Sequence, residues 1–253
     1  MLLAALLAGS GAIAANYLPI PQSTLQSVVP GSVLNKPTLV PGFEMRTTPV
    51  SYAEYAEFLR ASPKWQRTAI PALFADELYL HRWENATEPG AWASPAQAVT
   101  SVSWFAAQAY CASEHARLPN WAEWELVAAA DETHADARGD PAWRARILSW
   151  YAAPANASAI PPDSPPNYYG IRDMHGVIWE WVNDFNALLI SADSRVQGSA
   201  DKLQFCGAGA DNLQFKENYA VLMRVALLSS LTGASTTDNL GFRCARSPAE
   251  EKK

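Results

Sequence analysis

The sequence predicts an α+β fold, with helices gathered early in the chain and short irregular strands late. Three observations point there. Helix-start signals followed by apolar stripes of helical spacing occur near Ser51, Ser103 and Asn120. After Tyr169, short apolar stretches alternate with Gly, Asn, Asp and Ser, the texture of short strands and long loops. Strand and helix patterns nowhere alternate as in βαβ units, and the sequence has neither a GxGxxG nor a phosphate-loop pattern.

The first residues read MLLAALLAGSGAIAA, an apolar stretch followed by small residues. Ala12-Ile13-Ala14 fits an export cleavage pattern, although no basic residue precedes the apolar stretch. A segment of about 15 residues is too short to span a bilayer as a helix. Residues 1–15 are therefore expected to be a signal peptide, and 16–253 a single mature domain in the periplasm. Neither an internal repeat nor a linker divides that domain.

Residues 16–42 are rich in Pro, Ser, Val and Leu and are expected to form an extended arm. Ser51-Tyr52-Ala53-Glu54 is a capping-box pattern, and Tyr55, Phe58 and Leu59 follow at helical spacing. A second helix is expected from Ser103, with Trp104, Ala107, Tyr110 and Cys111 along one stripe and its end near Arg117-Leu118-Pro119. A third starts at Asn120, which can cap the amide near Glu123 ahead of Trp121, Trp124 and Val127. The charged run Asp131 to Arg146 is expected to be a solvated surface insertion, and the proline-rich residues 152–168 a loop.

Hydrophobic residues make up 49% of the chain and charged ones 17%, enough for a buried core. Ten Trp, nine Tyr and eight Phe speak against disorder. The net charge of -6 and the absence of any Lys/Arg-rich run exclude a nucleic-acid footprint. Three cysteines, Cys111, Cys206 and Cys244, suggest one disulfide and one remaining thiol in an oxidising compartment; spacing alone does not pair them. None forms a CxxC, so a zinc ribbon or thioredoxin motif has no support.

Four blocks in order resemble the formylglycine-generating enzyme, or sulfatase-modifying factor, family. They are Thr48-Pro49-Val50-Ser51 with Glu54-Tyr55 and Phe58; VSWFAAQAYCASEHARLPNWAEWE from Val102 to Glu125; YYGIRDMHGVIWEW ending at Trp181; and Asn239-Leu240-Gly241-Phe242-Arg243-Cys244. The second block is the most specific. Together they span roughly residues 43–247. The resemblance implies that family's C-type-lectin-like fold with little regular secondary structure. The run WEWVNDFN, followed by Phe205-Cys206-Gly207-Ala208-Gly209, is similar to the exported NirV-like branch and its PvdO-like relative.

The resemblance implies a disulfide between Cys111 and Cys244. It also implies a calcium site built from the side chains of Asp173 and Glu180 and the backbones of Gly176 and Ile178, a hard-oxygen set that suits calcium. The family's second calcium site falls in the segment replaced by the proline-rich loop and is not expected. The family's catalytic pair of copper(I)-binding cysteines maps near Phe215 and Ala220, neither of which is Cys. One thiolate does not make a two-sulfur copper site, so formylglycine formation by that mechanism is not expected. Cys206 is the remaining candidate nucleophile or ligand, weighed against an inert buried thiol.

His175, next to Asp173, is read as a surface turn residue, with metal ligation or proton transfer as the alternative. His81, His115 and His134 lack HxH or HxxxH spacing, which leaves copper or iron binding unsupported. Trp179 and Trp181 are read as core packing, and Asn239 and Arg243 as hydrogen-bonding residues of the closing turn. Asn85-Ala86-Thr87 and Asn156-Ala157-Ser158 match glycosylation acceptors, a weak pattern. The expected function is that of an exported accessory or tailoring protein acting on a periplasmic protein, peptide, metalloenzyme or siderophore-like substrate. The competing expectations are a non-catalytic binding module and, last, a one-cysteine formylglycine generator.

Overall fold

The fold is seen in a computed structural model that describes residues 16–27, 37–152, 164–187 and 219–248. The signal-like segment 1–15, most of the proline-rich loop with Asn156, Cys206 and Phe215 lie outside the described residues. No described helix is long and apolar enough to cross a membrane.

The segment expected to be an extended arm is three strands. β1 (Tyr17–Ile20) pairs antiparallel with β4 (Phe43–Arg46), Tyr17 opposite Arg46. β2 (Ser23–Leu25) pairs with β3 (Thr38–Val40). Ile20, Leu25, Val40, Phe43 and Met45 are buried, so these strands are part of the core. β7 (Ala245–Arg246) completes the first sheet in the order β1-β4-β7 and ties the chain's end to its beginning. Arg246 pairs with the cross-strand carboxylate of Glu44 and lies 4.3 Å from the centroid of the Tyr17 ring.

The three early helices form where their caps and stripes place them. In α1 (Tyr52–Ala61), the Ser51 hydroxyl accepts from the Glu54 amide and the Glu54 carboxylate accepts from the Ser51 amide. Its stripe of Tyr55, Phe58 and Leu59 is buried. α2 (Trp104–Ser113) is capped by Ser103 and stops short of Leu118; His115 turns the backbone at φ 56°. α3 (Trp121–Ala128) starts at Asn120 as expected, and there the Glu123 carboxylate accepts from the Asn120 amide at 2.8 Å.

Two helices differ from expectation. The charged run is not merely solvated: α4 (Pro141–Ala152) buries Trp143 and Ile147, with Trp150 packed beside them. Trp143, Ile147 and Trp150 recur at i, i+4 and i+7, one helix face, while Arg144 and Arg146 occupy the other positions. Asp140 accepts from the Ala142 amide at 2.8 Å, and Pro141 sits at the first helical position, where its missing N–H costs nothing. In the late region read as strands, α5 (Tyr219–Ser229) is a helix that buries Arg224, Val225 and Leu228.

The parallel pair β5 (Trp179–Glu180) and β6 (Leu240–Gly241) joins the third and fourth sequence blocks. Gly241 is required by close approach: an added Cβ would lie 2.1 Å from the Val99 carbonyl oxygen and 2.8 Å from Ile178 Cδ1. Backbone cannot yield as a flexible side chain does, so Gly241→Ala is expected to destabilise by about 2 kcal/mol or more through overpacking. Thermal unfolding checks this; a wild-type midpoint would mean that β5 and β6 separate at little cost.

A disulfide joins Cys111 at the end of α2 to Cys244 before β7, with Cα atoms 5.5 Å apart and 133 residues of sequence separation. Reciprocal backbone bonds between Arg117 and Ala245, at 2.8 and 2.7 Å, clamp the adjoining chain.

Candidate functional site

The third and fourth blocks meet α3 in a buried charged centre. Glu180 on β5 and Arg243 after β6 are both completely buried. Arg243 Nη2 donates to Glu180 Oε1 at 2.7 Å, and Nε donates to Oε2 at 2.8 Å. Trp124 Nε1 on α3 adds a third bond to Oε2 at 2.9 Å. The remaining Arg243 hydrogens reach the carbonyls of Arg172 at 3.0 Å, Asp173 at 3.1 Å and Arg46 at 3.4 Å. A guanidinium has five N–H donors, and all five are used here. Arg243 therefore holds strand β4, the 172–173 turn and β5 together, as the closing-turn expectation required, and has no donor left for a substrate.

Arg224 on α5 supplies a second buried guanidinium. It lies 3.5 Å from the Trp124 ring centroid and 5.9 Å from that of Trp121, and it donates to the Glu180 backbone carbonyl. Glu125 on α3 is equally committed. It accepts from Ser27 Oγ at 2.6 Å, Trp121 Nε1 at 2.7 Å and Arg138 Nη1 at 3.2 Å.

The expected calcium residues divide. Asp173 has the left-handed φ of 59° and accepts from the Ser164 hydroxyl through Oδ1. The carbonyls of Gly176 and Ile178 take no hydrogen bond from a described residue. Both carbonyls and the second Asp173 oxygen are donor atoms of the hard kind calcium prefers. Glu180 is mostly spent, because three of its roughly four lone-pair positions hold N–H groups. Asp173, Gly176 and Ile178 thus keep oxygens of the class calcium takes, whereas Glu180 offers at most one remaining lone pair. Among the described residues, no group of three or more His, Cys, Asp or Glu is placed to hold a metal ion.

Position 220, where the family's second copper cysteine maps, falls in the first turn of α5. Its neighbour Val221 lines a cavity of about 30 Å3 with Trp124, Trp143, Ile147 and His175, room for about one water. Phe and Ala side chains at the two mapped positions supply no soft donor, so the chain does not fit a two-thiolate copper(I) centre.

His175 is not a surface residue. It is 8% exposed, because α4 roofs the turn with Trp143 and Trp150 while Trp124 lies beneath, ring centroids 5.8, 6.4 and 5.8 Å away. Its Nε2 is 2.7 Å from the Ala128 carbonyl oxygen. Burial pushes its pKa from 6.5 down to about 4; the charges of Arg224 and Arg243 press the same way, against Glu180 and the carbonyl. A base whose folded pKa is lowered is neutral in the fold and protonated more readily when unfolded. Stability is therefore expected to fall as pH drops from about 6.5 toward about 4, by on the order of 3 kcal/mol. A His175→Leu protein should lose that part of the pH slope in urea unfolding. An unchanged slope would assign acid sensitivity to other groups.

The remaining sequence candidates stand apart from this centre. Trp181 is buried and donates to the Val102 carbonyl at 2.9 Å, a packing role. Asn239 accepts the Trp179 amide with its backbone carbonyl at 2.7 Å. Asn85 accepts the Thr87 amide within its own exposed turn. His81 Nε2 is 3.6 Å from Asp238 Oδ1, with no metal-holding group around it among the described residues. Sequence reasoning missed Arg224 and Glu125; a charged residue on an apolar helical stripe was the available signal for both.

Comparison with known proteins agrees with this architecture. A formylglycine-generating enzyme of Streptomyces coelicolor is 33% identical over 171 residues, 60% of this chain and 53% of that protein. The mouse protein named inactive C-alpha-formylglycine-generating enzyme 2 is 28% identical over 166 residues, 61% of this chain and 51% of its own. The chain thus spans about half the length of these curated relatives. Among solved structures, CarF superposes with a TM-score of 0.51 at 15% identity, covering 93% of this chain and 99% of that one; this likeness concerns the fold alone. The family profile described as the sulfatase-modifying factor enzyme 1-like domain matches residues 25–248, and the chain belongs to that family.

Proposed function

We propose that this chain is an exported accessory or tailoring protein of the family, acting on a periplasmic protein, peptide or siderophore-like substrate without the two-cysteine copper reaction. One observation carries the reading: the chain has the disulfide that its resemblance to the family implies, while the mapped copper positions are Phe215 and Ala220. The pairing of two cysteines 133 positions apart suits an oxidising compartment, in keeping with the apolar leader. The finer NirV-like and PvdO-like kinship belongs to the same proposal and rests on WEWVNDFN and the Cys206 segment. Oxidative maturation of a metalloenzyme would engage Cys206. Bound copper or iron in purified protein, lost in Cys206→Ala, supports that step, and a metal-free wild type removes it.

A Cys-containing sulfatase peptide incubated with the protein, copper and oxygen is expected to keep its mass. Conversion of its Cys to formylglycine would overturn the reading in favour of a one-cysteine generator. A non-catalytic binding module is the second reading. It is favoured by the commitment of Glu125, Glu180 and Arg243 to internal bonds and by the inactive mouse relative.

Calcium belongs to the proposal as a structural ion at the turn, held by the Asp173 carboxylate, the Gly176 and Ile178 carbonyls and one lone pair of Glu180. A ligand that binds only the folded state raises the unfolding midpoint with its concentration. Calcium is expected to do so for the wild type and not for Asp173→Ala. Equal midpoints with calcium and with chelator would exclude the ion.

A further inference from the structure

A second cleft, separate from the charged centre, opens between α4 and the 164–175 segment. Its volume is about 270 Å3. That is below the roughly 300–1,000 Å3 of sites that enclose drug-sized ligands, so it suits a head group. Trp143 and Trp150 line it, and Asp131, Glu132 and Asp173 bring carboxylates to its walls. Arg146 is the cationic side chain among its described lining residues.

Two features decide the ligand class. First, the cleft already holds a cation at its rim. The Arg146 guanidinium lies 5.9 Å from the Trp150 ring centroid and forms a two-pronged bridge to Glu132 at 2.8 and 3.1 Å. An indole face beside a carboxylate is an arrangement that attracts positive charge. Second, the Asp131 and Glu132 carboxylates have spent their directional capacity internally. Asp131 accepts from the amides of Thr133 and His134, and Glu132 faces Arg146. They contribute negative field more than free acceptor positions. A primary ammonium, with three N–H groups to satisfy, gains less here than a cation that carries no N–H at all. His175, buried against the same tryptophans, places no exposed donor at the entrance.

The geometry points to a binding site for a small alkylated ammonium group, held against the indoles of Trp143 and Trp150 in the field of Asp131 and Glu132. This goes beyond the proposed function and does not depend on it, since no residue of the charged centre forms the cleft's aromatic walls.

Choline chloride is the probe, read by NMR titration of the indole signals in the full chain. Saturable shifts are expected, with the neutral isostere 3,3-dimethyl-1-butanol binding about tenfold more weakly. Trp150→Leu is expected to weaken choline by about tenfold, the scale of one lost cation–π contact. Arg146→Ala is expected to strengthen choline severalfold, because it clears the competing guanidinium from Trp150 and frees Glu132. Arg146 is exposed, so this variant reads out the site even where Trp150→Leu perturbs folding. Equal binding of the neutral isostere, unaltered choline binding in Arg146→Ala, or the lack of saturable shifts in the wild type would each overturn the assignment.

Discussion

Removing the Cys111–Cys244 cross-link by the double change to Ala is expected to lower stability by about 5 kcal/mol in the chain-entropy treatment of a loop this long. The bridge joins residues separated by 133 positions, so its loss frees more than half the chain in the unfolded state. Both sites are fully buried, so Ala at each also leaves a void where the sulfurs packed, which adds a smaller cavity cost. Cys111→Ala alone should destabilise nearly as much as the double change, since either one opens the loop. Urea unfolding measures the difference, and its m-value should rise as the unfolded state expands. A drop below about 1 kcal/mol would show that the reciprocal Arg117–Ala245 bonds already hold the ends together without the sulfurs.

The second large effect is expected at Glu180. Glu180→Met leaves the Arg243 guanidinium buried without its counter-charge and takes the acceptor from Trp124 Nε1. Breaking a buried pair from one side destabilises by about 3–5 kcal/mol. Arg243→Met should fall in the same range, because the carbonyls of Arg172 and Asp173 lose their donor as well. The double change Glu180→Met and Arg243→Met is expected to cost clearly less than the two single changes added together. Desolvating two charges is itself expensive, so an apolar pair recovers part of the loss. Thermal and urea unfolding of the four proteins close the cycle. Additive losses would mean that the two side chains stabilise the fold through separate neighbours.

This clamp also bears on function. A carboxylate and a guanidinium that saturate one another inside the core hold a turn in place; they do not meet a substrate. Chemistry or recognition must come from groups with spare capacity. Asp173 and the indole cleft beneath α4 have it among the described residues, and Cys206 is the sequence's remaining thiol.

Much of the early chain was legible because its signals are local. Ser51 with Glu54 forms a capping box, and Glu123 accepts from the Asn120 amide, each between groups three residues apart. The stripe Tyr55, Phe58 and Leu59 declares its buried face by spacing alone. α4 was misread because Arg144 and Arg146 within it, and Arg138 just before it, drew attention from Trp143, Ile147 and Trp150, which define its face. α5 was missed although Ala, Val, Leu and Met run through it without Gly or Pro, which is a helix-forming composition. His175 looked exposed because Asp173 and Gly176 flank it; the tryptophans that bury it come from α3 and α4, up to 51 and 32 positions earlier by number.

The sequence by itself determined the family, the three capped helices and the order of the four blocks, since each depends on residues close together in the chain. Only the tertiary structure decided the roles of Glu180 and His175. Glu180 reads as a calcium ligand from its motif, yet its carboxylate is largely taken by Arg243, 63 residues away. The charge of a buried group is set by what surrounds it in three dimensions, and those neighbours are chosen by packing rather than by proximity along the chain.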